Sequence, residues 1–285
     1  MKDTIIRNEK LTVYTNAFGA ELKGVEMDGI EYLWQGGIDT YPRTSPTLFP
    51  VMGRFLSDTY YVGDKDYQMQ LNGFALDSNF EITDQKEDSV TFTLLPDDRT
   101  RKAYPFEFAL HVTYTVKDNA VIVHHKVENK GDAPLPFCLG SHTAYKWPLF
   151  PQDQPEDYFL RFEKEETLDS FNPFGWTQRF VDNTTIRPLS HDLFANYTRS
   201  LKDIKSEWIE LASTKHDHAV RIHRSQYPFL AIWSMPTPNA ALVCLEPSTS
   251  VHPGNHPSLH LEDRDGAILL APGETFDNEF MVEFR

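Results

Sequence analysis

The chain lacks the short motifs that mark most nucleotide-using and metal-using enzymes. There is no G-x-G-x-x-G and no G-x-x-x-x-G-K-[ST], so the usual cradles for dinucleotides and nucleoside triphosphates are missing. There is no H-E-x-x-H, no C-x-x-C, and no G-x-S-x-G elbow for a nucleophilic serine. Cysteine is scarce. Cys138 and Cys244 are the only two in 285 residues, which rules out a disulfide scaffold. Each lies in an apolar run and reads as a buried free thiol. No apolar run approaches the roughly 18 residues needed to span a bilayer. The first ten residues, M-K-D-T-I-I-R-N-E-K, hold no apolar core of a signal peptide, so a cytoplasmic location is expected. Positive charge is also short. Lys and Arg number 27 against 42 Asp and Glu, a net charge of -15 that disfavours nucleic acid and anionic membrane surfaces as partners.

What the sequence does have is aromatic residues and short alternating segments. The 20 Phe, 12 Tyr and 5 Trp favour pleated, half-buried surfaces. Residues 89–95 (S-V-T-F-T-L-L) and 108–116 (F-A-L-H-V-T-Y-T-V) alternate polar with apolar, the period of a strand with one solvated face. Lys117, Asp118 and Asn119 then separate the second run from another at 120–127, which predicts a hairpin. Similar runs lie at 11–15, 158–162, 208–211, 219–223, 230–233, 241–245, 267–270 and 279–284. Nineteen prolines and 14 glycines punctuate them and leave little room for long helices. Ser190–Phe194 reads as one short helix with Ser190 as its N-cap. Many short strands separated by turn signals predict an all-β fold, a large antiparallel β-sandwich, with residues 1–285 as one domain.

Two histidine groups have a spacing that raises metal binding. His216 and His218 flank Asp217, and His252, His256 and His260 recur every fourth residue. The second spacing binds metal on a helix, but Pro253, Gly254 and Pro257 forbid a regular helix there. Ordinary loop or strand histidines are the better reading of both, and no metal and no cofactor is expected.

Three other segments carry more information. In P-T-L-F-P-V-M-G-R-F (46–55), Arg54 follows an apolar stretch and a glycine. In P-F-C-L-G-S-H-T-A-Y (136–145), His142 ends an apolar run, where its ring can enter a cleft. In A-L-V-C-L-E-P (241–247), Glu246 closes an apolar strand ahead of a proline. A carboxylate at the mouth of an apolar strand has its pKa raised by desolvation, which suits a general base near neutral pH. Each also has a plainer reading: an exposed arginine, a strand-end histidine, and a glutamate paired with an arginine.

Taken in order, these segments resemble the aldose 1-epimerase (galactose mutarotase-like) family, in particular its LacX-like branch. The resemblance runs through K-L-T-V from Lys10, E-Y-L-W-Q-G from Glu31, L-F-P-V-M-G-R from Leu48, N-G-F-A from Asn72 and Y-P-F-E-F from Tyr104. It continues through L-G-S-H-T-A-Y from Leu139, L-S-H-D-L-F from Leu189, C-L-E-P from Cys244 and A-P-G-E-T-F from Ala271, essentially the whole chain. It implies an enzyme that interconverts α and β anomers of a small neutral sugar by ring opening. Glu246 is then the base at the C1 hydroxyl and His142 the acid at the ring oxygen. The base must be ionised and the acid cationic or a ready donor, with the two roughly a sugar ring apart. Arg54 and Asn72 stand where the family holds sugar oxygens. Trp233, in L-A-I-W, is either an aromatic wall or a core residue.

The pocket departs from the family pattern. Asn72 stands for a histidine in N-G-F-A-L, Leu76 for the arginine that follows, and Ser248 for a tryptophan after E-P. F-A-N-Y, residues 194–197, lacks a family aspartate, and G-S-H-T-A-Y replaces G-x-H-P-A-F. Asparagine still donates and accepts hydrogen bonds but carries no charge. The departures imply an altered sugar preference. The alternatives are weak or absent activity, and a carbohydrate-binding module on the same fold that performs no chemistry.

Overall fold

The hairpin of residues 108–129 shows how alternation becomes sheet. Strands Phe108–Lys117 and Ala120–Asn129 pair antiparallel, and Lys117 still faces Ala120, so the turn is Asp118–Asn119 alone. Asp118 takes a positive φ of 53° there, a conformation that aspartate tolerates better than most residues. Leu110, Val112, Tyr114 and Val116 all turn inward and are buried. Burying each such side chain is worth about 1.5–3 kcal/mol. Strand Ser89–Leu94 continues the same sheet on one side, and Thr275–Phe284 on the other.

The computed structural model describes residues 4–37, 40–171, 177–195, 198–237, 239–251 and 259–285. Its architecture is an all-β, antiparallel sandwich dominated by a 15-stranded sheet. A 4-stranded sheet of residues from Thr4–Arg7 to Ile30–Glu31 and two 2-stranded sheets complete the β structure. The main hydrophobic cluster takes residues from Ile6 to Phe284, so both ends of the chain enter the same core. Cys138 and Cys244 are free and buried, as their apolar settings predict. Among the described residues no helix is long and apolar enough to cross a membrane.

Helix is sparse. The one α-helix among the described residues is Asp98–Ala103, opened by a capping box between Asp97 and Thr100. At Ser190 the predicted helix is a 3-10 turn, His191–Phe194, and the Ser190 hydroxyl does not cap it. The strand expected to close at Glu246 instead runs Leu242–Ser248, so Glu246 and Pro247 lie inside it. Pro247 lies where the partner on one side changes from Thr143–Lys146 to Gly140–Ser141, an interruption of the kind that accommodates a proline.

Candidate active site

The floor of the candidate site is one row of residues across four adjacent strands. Gly140 of strand Gly140–Ser141 pairs with Ser248, and Thr143 of Thr143–Lys146 pairs with Leu245. His142, in the gap between those two short strands, therefore falls opposite Glu246. On its other side Glu246 pairs with Ala231, and Ala231 with Ser200. His142, Glu246, Ala231 and Ser200 all line one cleft of about 370 Å³. That volume falls within the ~300–1,000 Å³ usual for small-molecule sites. The alanine in the row leaves open space beside the carboxyl.

His142 and Glu246 meet in this row. His142 Nε2 lies 3.5 Å from Glu246 Oε1, with side chains 12% and 6% exposed. Tyr41 stacks on the His142 ring with centroids 5.0 Å apart and planes at 23°. Trp233 meets the same ring edge-on at 5.5 Å and Tyr41 at 5.3 Å. Below them Cys244, Ala144 and Leu242 form a small buried cluster against which Trp34, Tyr41 and Trp233 pack.

Two loops make the walls. Buried Glu21 accepts hydrogen bonds from the backbone N–H groups of Thr44 and Ser45, which fixes the loop carrying Tyr41 and Arg43. The Arg43 guanidinium lies 3.8 Å from Glu21 and is hydrogen-bonded to Asp77. The other wall comes from N-G-F-A-L. Asn72 donates its backbone N–H to Gly53 O at 2.8 Å, and its Oδ1 accepts from Gly53 N–H at 2.7 Å. Both Asn72 and Gly73 have positive φ, 62° and 76°. A Cβ on Gly73 would sit 2.2 Å from Phe49 O, so only glycine allows this loop to dock. Leu48, Met52, Leu71, Leu76 and Val251 give the cleft an apolar side.

Burial sets the electrostatics. It pushes the Glu246 carboxyl up to about 8 and the His142 imidazole down to about 4. At 3.5 Å each charge would favour the other, which opposes both shifts, but the loss of water decides their direction. Burial, with Glu246 beside it, also raises the Cys244 thiol well above its ordinary value. Tyr41 is raised in the same way, by burial first and then by Cys244 and Glu246. Between about pH 4 and 8 the pair thus holds one proton and has no net charge.

This cleft sits in a chain whose residues 2–282 match the family model described as Aldose 1-epimerase. The chain belongs to the aldose 1-epimerase family. The protein LacX of Lactococcus lactis subsp. lactis is 29% identical over 296 residues, covering 97% of each chain. A galactose mutarotase-like protein from Lactobacillus casei superposes with a TM-score of 0.94 at 31% identity, over 100% of both chains. A galactose mutarotase related enzyme from Lactobacillus acidophilus gives a TM-score of 0.93 at 27% identity, over 100% of this chain and 97% of the other.

In this member of the aldose 1-epimerase family, His142, Glu246, Asn72 and Trp233 converge on the cleft. Arg54 does not join them. The chain turns at Gly53, φ 71°, and the half-exposed Arg54 side chain pairs with Asp58 at 2.9 Å. The lining arginine is Arg43. The catalytic candidates are closer than a sugar ring. A ring-wide gap is unnecessary, because the ring oxygen and the anomeric hydroxyl are both bonded to C1.

Sequence reasoning missed Tyr41 and Arg43. Their only signal was T-Y-P-R, an aromatic and a guanidinium in a proline-rich loop. The histidine groups resolve differently. His216 accepts or donates at Asp153 and Tyr158, both at 3.1 Å, and His218 faces Tyr32 and Arg285 O. His252 and His256 lie outside the described residues, and His260 sits 3.8 Å from Glu262.

Proposed function

We propose that the protein is an aldose 1-epimerase that interconverts the α and β anomers of a small neutral aldose, with Glu246 and His142 as its acid–base pair. The observation that carries this reading is the 3.5 Å contact between the two side chains on the floor of the cleft. The net neutral pair exists in two forms with the same proton count, carboxyl with imidazole and carboxylate with imidazolium. The second form does the chemistry. Glu246 takes the proton of the C1 hydroxyl as the bond from C1 to the ring oxygen breaks. His142 gives its proton to that oxygen, which becomes the C5 hydroxyl of an open-chain aldehyde. The pair is then carboxyl and neutral imidazole, the form that burial favours at rest. Rotation about C1–C2 presents the other aldehyde face. Closure runs the transfers backward: the C5 hydroxyl returns its proton to His142 and Glu246 protonates the aldehyde oxygen. Proton transfer by placed groups contributes about 10²–10⁴-fold, enough for a reaction already slow in water.

Tyr41 and Trp233 supply aromatic surface for a sugar face, and Arg43 and Asn72 supply polar groups on the walls. Arg43 is the single Lys or Arg among the described lining residues and is already matched by Glu21 and Asp77. This pairing supports a neutral sugar rather than a phosphorylated one. Polarimetry on freshly dissolved single anomers, over a panel of pentoses, hexoses and 6-deoxyhexoses, tests the proposal. It requires faster relaxation than buffer for at least one sugar. Binding by calorimetry without any acceleration would favour the binding-module reading, which draws on the neutral resting state of His142.

A further inference from the structure

His142, Cys244 and Glu246 present a nitrogen, a sulfur and an oxygen within 4.8 Å of one another. They are the one such group of three among the described residues. Their placement follows from the sheet. Cys244 and Glu246 are two apart on strand Leu242–Ser248, so both point to the same face. His142 joins them from the neighbouring chain segment opposite Glu246. We propose that these three side chains form a site for a thiophilic divalent cation such as Zn²⁺, which occupies the floor of the cleft in place of substrate.

The donor set is that of a zinc site with three protein ligands and one open position. Bonds of about 2.0–2.3 Å in tetrahedral geometry require donor atoms roughly 3.3–3.8 Å apart. The 3.5 Å between His142 Nε2 and Glu246 Oε1 already satisfies this. The widest separation, 4.8 Å at most, closes by about 1 Å of side-chain movement. As the metal–sulfur bond forms, the thiol proton leaves to solvent, and so does the carboxyl proton when Glu246 holds one. Thiolate and carboxylate then cancel the dication, so the buried complex carries no net charge. Neutrality matters here because Cys244 and Glu246 are 0% and 5% exposed. The fourth position is left to water. No oxidation or reduction is involved. Cys138 is a contrast: the other buried thiol belongs to no such group of three among the described residues.

The metal site stands on its own geometry; only its competition with substrate rests on the sugar-site reading. The two are separated by titrating chelator-stripped full-length protein with Co²⁺ in the absence of sugar. The expected result is one equivalent bound, with a sulfur-to-cobalt charge-transfer band in the near ultraviolet that Zn²⁺ bleaches. Cys244→Ala abolishes the band and Cys138→Ala retains it. Glu246→Gln keeps the thiol but weakens binding at least about tenfold, and it decides the matter should Cys244→Ala fail to fold. With the site filled, Zn²⁺ suppresses any mutarotation of the wild type and a chelator restores it. Metal bound in full by Cys244→Ala and Glu246→Gln, or bound by the wild type without a sulfur band, places it elsewhere and overturns the proposal. Suppressed turnover is read only where turnover exists, so an inactive protein with an intact band refutes the sugar reading and not the metal site.

Discussion

Asn72 and Gly53 hold each other by two hydrogen bonds, one from the Asn72 backbone to Gly53 O and one from Gly53 N–H to the Asn72 side chain. The clasp ties the N-G-F-A loop to the segment that supplies Met52 and Gly53 to the cleft. Asparagine accepts the positive φ at this position better than most residues. Asn72→Ala loses one hydrogen bond and puts a residue less tolerant than asparagine in the left-handed region, so it should destabilise by roughly 2 kcal/mol. Asn72→Gly should recover much of that. Asn72→His should raise KM toward aldohexoses, not extend the range of sugars used. Urea unfolding and initial-rate polarimetry check both statements. Higher activity in Asn72→His would mean that the group facing the sugar outweighs the clasp.

Arg43 and Arg54 give opposite expectations. Arg43 lines the cleft between Glu21 and Asp77, and its loss leaves the buried Glu21 carboxylate with one fewer cation. Arg43→Ala should raise KM at least about tenfold, on the scale of one charge-assisted hydrogen bond lost. Arg54 makes a surface ion pair worth about 0–1 kcal/mol, and Arg54→Ala should change KM less than about threefold. Saturation kinetics on the best sugar settles the comparison, and the reverse order would restore Arg54 as the sugar-holding arginine.

The pH profile follows from the shared proton. Above about 8 the Glu246 carboxyl loses its proton, and the pair has none to give the ring oxygen. Below about 4 His142 becomes protonated while Glu246 keeps its proton, and no base remains. The kcat/KM profile should be a bell with limbs near these values, which belong to the pair as a unit. A profile still rising at pH 9 would contradict the assignment.

Stability should report the same carboxyl. Folding raises it from 4.5 to about 8, so the folded chain keeps a proton that the unfolded chain releases. Stability from this group is therefore complete below 4.5 and is lost as pH climbs through 8, by up to roughly 5 kcal/mol. Glu246→Gln removes that dependence. The melting temperature of the variant relative to wild type should increase from pH 5 to pH 9. A constant difference would mean that Glu246 is not held protonated.

Much of the fold was legible from alternation. Residues 108–116 became strand Phe108–Lys117, and residues 219–223 became Ala219–His223. The helix Asp98–Ala103 escaped notice although its capping pair, Asp97 and Thr100, stands in the sequence. The site was legible only in part. Motifs name His142 and Glu246, but no local pattern encodes that position 142 lies opposite position 246. That comes from the register of Gly140–Ser141 and Thr143–Lys146 on a distant strand. Arg54 drew attention because it ends L-F-P-V-M-G-R, yet the turn at Gly53 carries it to Asp58. Tyr41 lies in a loop with no period, where its stacking on His142 leaves no trace in sequence.

The role of Glu246 as the base of an anomer-interconverting pair is tested by the mutarotation rate of wild type and Glu246→Gln on the same single-anomer sugar, with binding measured in parallel. Glutamine keeps the shape of the side chain and removes its basicity. The expected result is a fall in kcat of about 10²–10⁴-fold with sugar affinity nearly unchanged, since the lost interaction exists only in the transition state. A variant that turns over the best sugar as fast as wild type would mean that Glu246 is not the base.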